Sequence, residues 1–153
     1  LKANESTEIT STVTELVTAI HFTDGQRVEE GFVLIEMDAA EEQAELSEQQ
    51  SILEEALRQV ERLEPVVKKG AASESDLDQR QREALAAEAR IQAIQSRIDQ
   101  RIIKAPYDGV VGLRNISLGA LAQPATIITT LDDDRSMKLD FSVPEVFLQT
   151  LKQ

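Results

Sequence analysis

Few residues in this chain of 153 are equipped for chemistry. The only histidine is His21, and it lacks a Ser, Cys or metal-ligand constellation at useful spacing. It lies inside a β-like segment, where a single histidine reads as a surface residue. Asp132, Asp133 and Asp134 invite a metal reading. They follow the apolar run 127–131, however, and read most simply as a solvated turn. The acidic pairs Glu41-Glu42 and Glu54-Glu55 fall on helix surfaces and need no chemistry. The expectation is a chain that is not an enzyme, with no catalytic residue, no metal and no cofactor.

Composition narrows the class further. The formal charge is −12, from 28 acidic against 16 basic residues. That argues against a nucleic-acid partner, because phosphate binding needs clustered cations. There are no cysteines, so disulfides and thiolate metal sites are excluded. One Tyr, four Phe and no Trp are few for a compact globule, and Ala, Glu, Gln and Leu are abundant, which suggests an elongated helical part. No apolar run approaches the ~20 residues needed to span a bilayer. The chain opens in polar sequence without Met and reads as part of something longer.

Three textures follow one another. Residues 8–38 are β-like, rich in Thr, Val and Ile, with turns at Asp24-Gly25 and Glu30-Gly31 and a short strand over 33–37. Residues 39–101 are helical. Leu46, Leu53, Val60 and Val67 recur every seven residues, with Gln49, Ala56 and Leu63 between them. Leu77, Ala84, Ile91 and Ile98 repeat the pattern, with Ala87 and Ile94. Two such heptad seams joined by a short break predict an antiparallel coiled-coil hairpin with arms of roughly 40–45 Å. Pro65 predicts a kink or the beginning of the end of the first arm. Lys68 and Lys69 suit a helix C-terminus, Gly70 the left-handed position after it, and Ser73 with Asp76 an N-cap opening the second arm.

From residue 102 the β texture returns, with a turn at Ala105-Pro106-Tyr107-Asp108-Gly109, then runs at 110–116, 127–131 and 137–143. A shift of 94 residues lays the first β segment over this one. Gly25 falls on Gly119, Leu16 on Val110, Phe22 on Ile116, Leu34 on Ile128, Met37 on Leu131 and Asp38 on Asp132. The two segments are an internal repeat, and the helices are an insertion between two halves of one domain. The fold class is therefore α+β. A β-sandwich of two half-motifs, residues 8–38 and 102–135, is interrupted by a helical hairpin at 39–101, and 136–153 begins another unit. Gly25, Gly31, Pro106, Gly109, Gly112 and Gly119 are its structural turn residues. Off-seam Ile52, Leu57 and Leu85 either widen the seam or meet neighbouring copies.

The segments Lys104-Ala105-Pro106-Tyr107-Asp108-Gly109-Val110-Val111-Gly112, Gly119, and Met137-Lys138-Leu139-Asp140-Phe141-Ser142-Val143-Pro144-Glu145 resemble the periplasmic adaptors, or membrane fusion proteins, of resistance-nodulation-division (RND) tripartite efflux pumps. The resemblance implies a lipoyl-like (biotinyl-like) β-domain, with 136–153 starting a β-barrel domain. It implies a periplasmic adaptor anchored to the inner membrane through residues outside this chain, contacting an inner-membrane transporter and an outer-membrane channel. Self-association into a ring, a trimer or hexamer, is also implied. Arg62, Val66 and Ser73 fall on the spacing of the family's docking motif at the hairpin tip, with Val replacing Leu. Arg62 also reads as an ordinary solvated charge, Val66 as the last seam residue and Ser73 as a cap. Two departures stand out: Ala125 after Pro124, where Gly is usual, and Glu15, where a turn Gly is common. An ABC-type exporter is the alternative transporter. A biotinyl or lipoyl carrier is the rival from another class, but Ala39 and Ala40 stand where its modified Lys would be.

Overall fold

The computed structural model describes residues 2–3, 6–134 and 137–138. Ten strands and two helices follow in chain order: β1 (Lys2–Ala3), β2 (Ser6–Thr10), β3 (Glu15–Ile20), β4 (Arg27–Val28), β5 (Val33–Met37), α1 (Ala40–Lys68), α2 (Glu74–Asp99), β6 (Ile102–Lys104), β7 (Gly109–Val111), β8 (Leu121–Ala122), β9 (Ile127–Asp132) and β10 (Met137–Lys138). The chain divides into two compact units. One is β-structured and takes the chain up to Ile35 and again from Lys104; the other is Glu36–Ile103. The expected barrel start at 136–153 lies outside the described residues, apart from β10, which pairs antiparallel with β1.

The β unit is built on two four-stranded sheets, β2-β9-β7-β4 and β6-β5-β3-β8. The 94-residue repeat explains their order, because the sheets are the same sequence of strands read from opposite copies. Arg27 and Val28 pair with Val110 and Gly109, and the shifted positions Leu121 and Ala122 pair with Leu16 and Glu15. The loop bonds repeat as well. Gly25 donates to the Val111 carbonyl at 3.0 Å and Gly119 to that of Val17 at 2.9 Å; His21 donates to Leu34 at 2.9 Å and Asn115 to Ile128 at 2.8 Å. Each sheet thus takes two strands from each half, so neither half completes a sheet alone.

The same shift relates the core. Phe22 and Ile116, Leu34 and Ile128, Met37 and Leu131, Val28 and Ala122 are buried in both copies. The pair Leu16 and Val110 is not a core pair: Leu16 is exposed and Val110 half-buried, while Val17 and Val111 face inward. Strand side chains alternate between faces, so an alignment can match residues whose faces are wrong. The run 110–116 is a strand only to Val111, and Gly112 then passes so close to Thr130 that a Cβ would overlap its hydroxyl. At Gly109 a Cβ would come within 2.5 Å of the Asp132 carbonyl. Pro106 is exposed in the turn between β6 and β7.

The aspartates after β9 are not a solvated turn. Asp132 ends the strand, Asp133 is buried, and Asp134 pairs with Arg27 on β4. Ionic and hydrogen-bonding partners of this kind compensate the desolvation of acids held against a sheet end.

Backbone conformation carries the repeat where side chains hide it. Gly25 and Gly119 are both left-handed, at φ 74° and 77°, and Gly31 at 82° is matched by Ala125 at 67°. Nothing lies near a Cβ at Gly31, so the difference between these two sites is conformational alone. A left-handed Ala costs about 1–2 kcal/mol, and Gly returns part of that as unfolded-chain entropy. Ala125→Gly is therefore expected to stabilise the protein by about 0.5–1 kcal/mol, and Gly31→Ala to destabilise it by a similar amount; denaturant midpoints of the two variants check both signs.

Candidate docking site at the turn between the helices

The helices are 29 and 26 residues long, about 43 and 39 Å at ~1.5 Å per residue. They run antiparallel, as the cross-helix pairs Glu42–Arg101 and Glu45–Arg97 show. Ala56, Ala84, Ala87, Ile94 and Ile98 are buried between them, and Leu46, Gln49, Leu53, Val60, Leu63, Val67, Leu77 and Ile91 are half-buried. Ile52, Leu57 and Leu85 are 42%, 52% and 64% exposed, so they do not widen the seam.

α1 does not end at Pro65. It continues to Lys68, one residue short of the Lys69 cap. A proline inside a helix loses the bond of its missing N–H, but within one turn of the C-terminus, on an exposed face, water serves the freed carbonyl. The turn then closes as a Schellman motif. Ala71 donates to the Val66 carbonyl at 3.0 Å, Gly70 donates to that of Val67 at 2.9 Å, and Gly70 is left-handed at φ 72°. Ser73 caps α2 by accepting the Ser75 N–H at 3.1 Å, with Glu74 and Asp76 favourably placed in the first turn.

Arg62 and Val66 are four residues apart and so share one face of α1. Arg62 is exposed and, among the described residues, makes no ion pair; Val66 is 38% exposed. Ser73 is exposed at the start of α2, and the turn leading to it is built on the Val66 carbonyl. The three residues thus lie at the same end of the helix pair. Chemically they offer one cation, one apolar contact and one hydroxyl already engaged as an acceptor.

Some of the charges nearby pair within their own helix. Arg58 pairs with Glu54 and Glu55, Lys68 with Glu64, and Arg80 with Glu83. The Gln59 amide and the Arg58 guanidinium hold the Glu55 carboxyl below its ordinary value, with Arg62 a weaker contributor. Exposed pairs of this type add little stability. His21 is exposed, and no cluster among the described residues could hold a metal.

Sequence reasoning missed four positioning residues in other parts of the chain. The Tyr107 hydroxyl donates to the Leu131 carbonyl at 2.7 Å and lies 3.0 Å from Thr7 Oγ1, pinning β9. Asp108 Oδ1 accepts the Glu30 N–H at 2.7 Å, tying two turns together. Glu42 and Arg101 pair across the helices. Extending each heptad ladder by one step, from Leu46 back to Glu42 and from Ile98 on to Arg101, would have found this last pair.

Comparison with known proteins agrees with this architecture. An uncharacterised protein of Haemophilus influenzae is 30% identical over 152 residues, 99% of this chain and 40% of its own length. The multidrug resistance protein MdtA of Yersinia enterocolitica is 28% identical over 167 residues, 99% of this chain and 38% of its own. The chain spans about two fifths of the length of these curated relatives. A MacA–MexA chimera containing the Pseudomonas aeruginosa MexA α-hairpin domain superposes with a TM-score of 0.79 at 22% identity, over 86% of this chain and 49% of that one. The membrane fusion protein Spr0693 of Streptococcus pneumoniae gives 0.67 at 17% identity, over 88% and 64%. At such identities the likeness is one of fold. The family model "RND MFP, barrel-sandwich hybrid domain" matches residues 5–131, and the chain belongs to this family of RND membrane fusion proteins.

Proposed function

We propose that this chain is the lipoyl-like β-sandwich and coiled-coil hairpin of a periplasmic adaptor, linking an inner-membrane efflux transporter to an outer-membrane channel. Residues 8–38 and 102–135 form the split β-domain, 39–101 the hairpin, and 136–153 the start of a barrel domain. The observation that carries the reading is the hairpin tip. Arg62, Val66 and Ser73 sit together at the end of an arm about 40 Å long, the first two on one face of α1 and all three exposed. Such a tip is suited to insert an apolar contact and a cation into a channel protein. Adaptor action needs positioned contacts rather than bond chemistry, and the protein acts as no enzyme.

The family description and the name of the Yersinia relative favour an RND drug transporter over an ABC-type exporter. The carrier reading has no observation in its favour, since Ala39 is the residue before α1 and offers no amine to acylate. Self-association into a ring draws support from one flank of the hairpin. There the exposed Leu57 and Leu85, with Leu53, Val60 and Ala84, line a groove of about 440 Å³. Exposed apolar grooves of this kind mark contact surfaces.

In the full-length protein, Arg62→Glu and Val66→Asp are each expected to weaken channel docking by about tenfold, the effect of losing an interface hot spot, and to lower pump-dependent drug resistance at unchanged protein level. Intact resistance in the Arg62→Glu strain removes the docking reading. Ser73 is tested separately. Ser73→Asp preserves a cap, whereas Ser73→Ala loses about 1 kcal/mol from the first turn of α2. If the hydroxyl contacts the channel, both variants lose resistance while only Ala loosens amide protection in that turn.

A further inference from the structure

Among the described ion pairs, the one held furthest from water lies at the roots of the helix pair. Arg101 Nη2 meets Glu42 Oε1 at 2.5 Å, with side chains 14% and 10% exposed. The guanidinium does more than pair. Its Nε donates to the Asp38 carbonyl at 2.9 Å and its Nη1 to the Arg97 carbonyl at 3.0 Å. The Arg101 carbonyl in turn accepts the Met37 N–H at 2.9 Å. One residue after α2 therefore touches the segment before α1, the first turn of α1 and the last turn of α2. Beside it, Arg97 reaches Glu45 across the pair at 2.6 Å.

Toward the turn this cross-bracing stops. The described ion pairs there, Arg58 with Glu54 and Glu55, Lys68 with Glu64 and Arg80 with Glu83, each stay within one helix. The middle of the seam holds small or polar residues at Gln49, Ala56, Ala84 and Ala87, with Gln49 Oε1 buried without a partner, and nearer the turn the seam passes to half-buried Val60, Leu63, Val67 and Leu77. α1 also lacks a side-chain cap at Ala39. Its root is held by Arg101 and by Asp38 Oδ1, which accepts the Ala40 N–H at 3.0 Å.

We infer that Arg101 is a root lock, a conformational device that prevents α1 and α2 from shearing past one another where they begin and end. Opening of the pair is thereby confined to its far half. The chemistry requires arginine. A guanidinium presents five donors in a rigid planar fork and can hold two carbonyls and a carboxylate at once, whereas an ammonium on a flexible stem cannot hold the same three directions. The lock supplies position rather than net stability, because a buried ion pair can be replaced by apolar side chains without loss of folding free energy. The inference is independent of what the far end binds.

The test uses the full-length protein with spin labels on cysteine pairs at Ala44 and Ala93, near the roots, and at Glu61 and Arg82, near the turn; all four positions are exposed. Arg101→Lys is expected to broaden the root distance distribution and to speed amide exchange in the first turn of α1 and the last of α2 about tenfold, leaving the far pair unchanged. The double variant Glu42→Leu/Arg101→Met removes both charges, so it is expected to keep the melting temperature and still broaden the root distribution. A narrow root distribution in either variant overturns the inference, since packing alone then fixes the roots. If neither variant folds, the pair is a folding requirement and the lock is equally overturned.

Discussion

Everything in this chain rests on a strand exchange. The pairing of Arg27-Val28 with Val110-Gly109, and its repeat copy Leu121-Ala122 with Leu16-Glu15, joins segments about a hundred residues apart in sequence. Because each half completes the other's sheet, neither can bury its core alone. The chain between the halves must therefore leave β5 and come back to β6, which are neighbours in one sheet. An out-and-back path of more than sixty residues is satisfied by two antiparallel helices. Once the β unit has brought the two ends together, pairing the helices no longer carries the loop-closure cost that an isolated hairpin would bear. A seam in which Ala56, Ala84 and Ala87 occupy central places is tolerable under that condition, although such small side chains contribute little burial each.

The same constraint explains what could be read from the sequence. Turn glycines and large apolar residues recur at 94 residues because the exchanged strands demand the same turn twice, so Gly25 and Gly119, Phe22 and Ile116, Leu34 and Ile128 stand out directly. The fourth turn was legible only as an oddity, Ala125 after Pro124, since a left-handed alanine leaves no mark in composition. The alignment of Leu16 with Val110 was correct in register but misleading about the core, because adjacent strand residues point to opposite faces and both neighbours, Val17 and Val111, are equally apolar. Tyr107 and Asp108 stayed hidden for a different reason. Their partners, the Leu131 carbonyl and the Glu30 N–H, are backbone atoms, which every sequence contains.

In the helices, legibility followed the strength of the periodic signal. The seam positions were visible from spacing, while Glu42, on the same ladder, was read with Glu41 as surface because charge normally means exposure. Glu42 is buried only because Arg101 reaches it, and Arg101 is placed there by the step that returns the chain to β6. Pro65 stands in the last turn of α1, where the arm begins to end; the helix runs on to Lys68 and the Schellman turn at Gly70 closes it.

The residues at the turn are placed by backbone roles. Val66 gives its carbonyl to the turn and leaves its side chain 38% exposed; Ser73 caps a helix with its oxygen and keeps its flank in solvent. The backbone roles fix where these side chains stand, so a surface presented there needs no further scaffolding. Ala39 marks the complementary choice at the other end. A position that a carrier would use for a covalent arm is here the entry to α1. The end where α1 begins and α2 finishes carries the cross-helix charge pairs, and the other end is closed by the short turn at Gly70.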